Sequence, residues 1–200
     1  MLKLAGELFE GRLADHEARL DAHTKNIYQI LRTGEYSSLP MHGIGAPIAL
    51  ATNRLYAIPY IAVRDITIDR LAICVLTLSA GKSVRMGIHD ATGTNLYPDA
   101  LLLDAGTVSV ATTGLKAVTI DPALALSKGL WFLTLVSDGA PSLRDLRLGM
   151  SPLGINTGFA ATSGFWYVGF TYAALPDPFT AGGSLGGNAP LICPRVASLA

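Results

Sequence analysis

Apolar side chains in residues 2–30 recur alternately four and three apart, and the spacing predicts a coiled-coil helix. Gly6, Leu13, Leu20 and Ile27 take the a positions; Leu2, Phe9, His16, His23 and Ile30 take the d positions, giving about four heptads. The apolar stripe is narrow, as in a seam between helices, whereas a helix lying on its own domain presents a broader face. An isolated helix of this length is marginal in water, so the pattern implies association with sister chains. Leu2, Phe9, Leu13, His16, Leu20, His23, Ile27 and Ile30 are the expected oligomerisation residues. Arg12 at g can pair with Glu17 at the following e, but Arg19 meets Thr24, so charge supports association without selecting a partner. Consecutive Ile27 and Ile30 at a and d favour three strands or more, and a trimer is the expected state.

The helical period ends at Gly34, a suitable C-terminal breaker. Residues 34–53 read as a linker of Ser, Pro, Gly and small apolar residues. From residue 54 the period becomes two, with β-branched residues dense in the runs 55–63, 65–78, 83–90, 100–110, 116–121, 130–137, 143–148 and 165–172. Clusters such as Ala80-Gly81-Lys82, Thr92-Gly93-Thr94-Asn95 and Ser137-Asp138-Gly139 separate them. The predicted fold is therefore mainly β: a coiled-coil helix over 1–33, the linker, and an antiparallel, jelly-roll-like β-sandwich over 54–175. The tail, 176–200, is rich in Gly and Pro and holds at most one short strand, at Leu191-Ile192-Cys193.

Composition narrows the function. Half of the 200 residues are hydrophobic and only 15% are charged, which is enough apolar material for a core and for contacts between subunits. The formal net charge is zero and Lys and Arg are scattered, so a nucleic acid is not an expected partner. Residues 148–176 are apolar but interrupted by glycines, Pro152 and Asn156, unlike a membrane helix. Early Glu7, Glu10 and Asp15 are unlike a secretory signal, and synthesis in a cytoplasm is expected. Cys74 and Cys193 read as small hydrophobes.

Within residues 84–140, the segments Val84-Arg85-Met86-Gly87-Ile88-His89-Asp90, Leu101-Leu102-Leu103-Asp104-Ala105-Gly106-Thr107-Val108, Ala111-Thr112-Thr113-Gly114, Gly129-Leu130-Trp131-Phe132-Leu133 and Val136-Ser137-Asp138-Gly139 stand in this order. The stretch resembles a β-sandwich module of structural proteins in tailed bacteriophages and prophages, usually fibres or spikes. The resemblance implies a noncatalytic homotrimeric virion protein, attached to head or tail with other virion proteins as partners, and a β-sandwich displayed outward. A host cell-surface glycan is the ligand class such a display would meet. It supplies no binding residue at a position of this chain. The competing expectation is a soluble oligomeric carbohydrate-binding module outside any particle.

Chemical motifs add little to this picture. Gly182-Gly183-Ser184-Leu185-Gly186 matches a nucleophile elbow in letters, but no histidine follows Ser184 and the flanks are loop-like. His89-Asp90 with Asp99 and Asp104 reads as a solvated turn without the ligand spacing of a calcium loop. No acid pair stands out for glycoside hydrolysis. No catalytic residue, cofactor or metal is expected. Phe165, Trp166, Tyr167, Phe170, Tyr172 and Trp131 form either core or an exposed sugar-binding face.

His16 and His23 at d would stack two rings of three imidazoles about 10 Å apart along the bundle axis. Protonating a ring buries like charges, so the coil should weaken in acid. A peptide of residues 1–33 is expected to melt at a lower temperature at pH 5 than at pH 8; equal melting would discard the effect.

Overall fold

The computed structural model describes residues 31–38, 42–44, 47–92, 97–148 and 164–199. All the expected oligomerisation residues, Leu2 to Ile30, lie outside them. Among the described residues there is no helix. Leu31–Gly34, where the expected helix was to end, form an irregular segment and a turn, with Glu35 N donating to Arg32 O at 3.2 Å. Gly34 has φ +85°, a conformation that favours glycine.

The described residues form fourteen strands: β1 (His42–Ile44), β2 (Ile48–Ala49), β3 (Arg54–Ala62), β4 (Ile66–Thr77), β5 (Ser83–Thr92), β6 (Tyr97–Ser109), β7 (Gly114–Leu126), β8 (Gly129–Ser137), β9 (Ser142–Leu143), β10 (Asp145–Leu148), β11 (Phe165–Gly169), β12 (Ser184–Gly186), β13 (Ala189–Pro190) and β14 (Ile192–Leu199). All pairings between them are antiparallel. One sheet has the order β12-β11-β3-β8-β5-β6. A second is built on β4, which pairs with β14 and β9 along one edge and β7 along the other. A small third sheet has the order β1-β10-β13.

The two large sheets share one apolar interior. Tyr56, Ile58, Val84, Met86, Ile88, Leu133 and Leu135 from the six-stranded sheet meet Ile66, Ile68, Leu71, Ile73 and Val75 from β4. Alternation explains which face each residue takes. In β4 the inward residues run Ile66, Ile68, then Leu71, Ile73, Val75, and the three-residue step is a bulge. β7 opposes Asp69 with four residues, 120–123, and β14 shifts register between Arg195 and Val196. The bulge leaves Asp69 free to accept from Arg195 Nε at 2.8 Å and from Arg195 Nη2. Those bonds hold the Asp69 carboxyl below its ordinary range.

The first described residues are part of this body. Gly34 N donates to Val196 O (2.7 Å), Val196 N to Glu35 O (3.0 Å) and Ser37 N to Pro194 O (2.8 Å), so residues 34–37 run along the free edge of β14. Tyr60 Oη donates to Ser37 Oγ at 3.2 Å within the interior. The tail differs from its expected loop-like form, because β14 is eight residues long and pairs with β4 from Ile192 to Leu199. A proline inside a strand argues against one, but the Pro194 carbonyl points toward Ser37, away from β4. Its missing N–H therefore removes no bond from the β4 ladder.

Cys74 and Cys193 are free thiols, and burial pushes that of Cys193 up to about 12, so it stays neutral. No described helix is long and apolar enough to cross a membrane. Replacing fully buried Leu133 by Ala is expected to destabilise the body by about 2–5 kcal/mol. Leu115→Ala, at a residue 61% exposed, should change it by less than about 0.5 kcal/mol, both read from urea midpoints.

Candidate functional site

The six-stranded sheet is apolar on both faces. Alternate residues Leu55, Ala57, Phe132, Val136 and Trp166 form a second cluster on the face turned away from β4. The cover is a strap, residues 170–180, which places Leu175 (5% exposed) and Phe179 (8% exposed) on that cluster. Continuous burial across Leu55–Tyr60 and Phe132–Ser137 follows from this double cover.

Gly87 makes room for the strap. A Cβ there would collide with Leu175 Cδ1 and with the Leu103 carbonyl, so only glycine lets Leu175 seat against β5. The strap is irregular, and its backbone groups are met by side chains and turns. At its start, Asn53 has φ 57°, a conformation that asparagine tolerates better than most residues. Asn53 O accepts from Phe170 N at 2.9 Å and Asn53 Oδ1 from Tyr172 N at 3.0 Å. Farther on, Leu175 N donates to Asp104 Oδ2 (3.0 Å), Leu101 N to Asp177 Oδ1 (3.0 Å) and Phe179 N to Asp99 O (2.7 Å).

Asp104 ties three elements together. It accepts Arg85 Nε at 2.8 Å to both oxygens, Gly106 N at 3.2 Å and Leu175 N. Burial alone would raise its carboxyl, but these bonds outweigh burial and hold it below the ordinary carboxylate range.

His89 lies at the centre of the strap's underside and is fully buried. Its Nε2 is 2.9 Å from Pro176 O, which can only accept, so Nε2 carries the proton. Nδ1 then accepts from the Thr134 hydroxyl at 3.1 Å. Phe179 presents its ring edge-on, 5.3 Å away and at 89°. Burial pushes the imidazole below its ordinary value, against the opposing pulls of the Pro176 carbonyl and of Asp177, Asp90 and Asp104. The solvated turn expected at His89-Asp90 is thus corrected: β5 continues to Thr92 and carries His89 under the strap.

Tyr97 and Trp166 form the rim. Their ring centroids are 4.5 Å apart, although β6 and β11 stand four strand spacings, about 19 Å, apart in the sheet. The β5–β6 end therefore folds over the outer face, and register shifts between Met86 and Ala91 supply the bend. Tyr97 is 47% exposed, whereas Trp166 Nε1 is buried without a hydrogen-bond partner among the described residues.

The other aromatic residues are mostly packing. Phe165 is buried in the inner core; Trp131 and Tyr167 are half-buried against it, and Trp131 Nε1 donates to Ser127 O at 3.0 Å. Phe170 and Tyr172 pack on the outer cluster. Ser184 is exposed and opens β12, paired with Tyr167, so the loop-like flank expected after it is a short strand; Gly182 and Gly183 before it have φ of +82° and +107°. Among the described residues no three His, Cys, Asp or Glu side chains are grouped to hold a metal. Chemically, the arrangement offers a clamped strap, one buried imidazole and a half-exposed aromatic rim. Asn53, Gly87 and Asp177, which shape it, give no signal in the sequence beyond their turn-forming character.

No family model matches the chain, and no curated protein matches it. Asp104→Asn keeps an acceptor but loses the charge, and is expected to destabilise the protein by about 1–3 kcal/mol in urea titrations at neutral pH. A carboxyl lowered in the folded state stabilises above its unfolded value and loses that contribution as pH falls through the folded one. The difference between variant and wild type should therefore be complete above about pH 4 and shrink in stronger acid.

Proposed function

We propose that the chain is a noncatalytic structural protein of a tailed-phage particle, in which residues 2–30 gather three copies and the β body is displayed. The supporting observation is the attachment of residues 34–37 to β14 by three backbone hydrogen bonds. Those bonds make residues 34–37 part of the β body, which thus begins close in sequence to the segment proposed to gather the copies, and gathering that segment raises the local concentration of the bodies. His89, with both ring nitrogens held in structural bonds, fits a display role better than acid–base work.

The soluble carbohydrate-binding alternative has one observation in its favour. Trp166 Nε1 is a buried donor without an acceptor beside half-exposed Tyr97, and a sugar offers both a hydroxyl and an apolar ring face. A glycan array separates this reading from pure architecture.

The full chain is expected to show a native mass of three copies, and a chain beginning at Leu31 the mass of one. A monomeric full chain would overturn the proposal. The protein should also be found by mass spectrometry in purified particles.

A further inference from the structure

We infer that His89 makes the 170–180 strap a latch that acid releases. The geometry carries the inference. A fully buried imidazole joins the sheet, through Thr134, to the strap, through the Pro176 carbonyl. Bound as it is, the ring is neutral: one nitrogen donates and the other accepts. Adding a proton at Nδ1 forces the Thr134 hydroxyl to turn round and accept, and puts a full charge beneath Leu175 and Phe179 in the apolar cluster.

The charges around the ring do not cancel this. β5 contributes Asp90, β6 contributes Asp104, itself paired with Arg85 of β5, and the strap contributes Asp177; from β8 the Thr134 hydroxyl meets the ring. Asp104 is already matched by Arg85 and two amides, and Asp177 Oδ1 by the Leu101 amide. Their attraction opposes burial without exceeding it, and the imidazole stays below its ordinary value. A histidine held low in the closed state stabilises closure fully above its open-state value of about 6.5, and that stabilisation is lost as pH falls below it. Lifting the strap returns the ring to water, so the open state gains the proton.

The reporters are the strap amides of Tyr172, Leu175 and Phe179, each closed by a bond to Asn53, Asp104 or Asp99. Their hydrogen exchange in the full chain, corrected for the intrinsic pH dependence of exchange, gives the opening constant. With an open-state value near 6.5, that constant rises between pH 7.5 and pH 5.5 by a factor above one that cannot exceed (1 + 10^1.0)/(1 + 10^−1.0), about tenfold. Asp104, the carboxylate that holds the strap at Leu175, is kept below its ordinary range and so charged throughout this window. Amides of Leu133 and Leu135 in β8 should not follow. In His89→Gln, a side-chain N–H can still reach Pro176 O and an oxygen can still face Thr134, and the pH dependence should vanish. Unchanged wild-type opening across the window, or the same rise in His89→Gln, would overturn the latch. Should that variant fail to fold, the wild-type contrast between strap and β8 amides decides the matter alone.

Discussion

A sheet that carries large apolar side chains on both faces has to be covered twice, and this requirement organises the described structure. One cover of the six-stranded sheet is the sheet built on β4, which interlocks side chain with side chain in the manner of a sandwich. The other is the irregular strap, whose few apolar residues would not hold it down by themselves. Leu175 and Phe179 supply contact, while Asn53, Asp104, Asp177 and His89 supply direction by meeting backbone groups that an irregular chain leaves open. Gly87 sets the depth at which the strap lies.

The two covers differ in kind. Across the inner interface, loss of one methyl group is felt locally and the remaining contacts persist. Across the outer one, backbone amides depend on single acceptors, so several elements are linked through one carboxylate. Asp104 connects β5, β6 and the strap, and the same carboxylate helps set the field at His89. Polar groups there have few substitutes, and the low dielectric that strengthens their bonds also makes any unpaired member expensive.

Period-two patterning and turn clusters marked β3 to β8 and β11, with the antiparallel mainly β class that they imply, whereas the run 143–148, read as one strand, is divided at Arg144 into β9 and β10, which belong to different sheets. The odd step from Ile68 to Leu71 even carried the trace of the bulge at Asp69. The strap left no comparable trace. Its order comes from single bonds between residues far apart in the chain, such as His89 with Pro176, and periodicity carries no record of them. β14 was obscured by Pro194, whose acceptor-only edge is tolerated because of the partner that lies there. His89 read as a turn residue because Asp90, Thr92 and Gly93 mimic the end of a strand. The heptads at 2–30 fall outside the described residues, and the trimer rests on the sequence pattern.

The place of β14 in the chain has a consequence for how the body is made. β4 is synthesised well before β14, its partner along most of one edge, and residues 34–37 depend on that same later strand. Closure must await β14, a topology of distant pairings that folds slowly. During that interval β4 presents an unfilled, β-branched edge, the kind of surface on which neighbouring nascent chains adhere. Crowding of these chains on a polysome would therefore set the yield of correctly closed bodies.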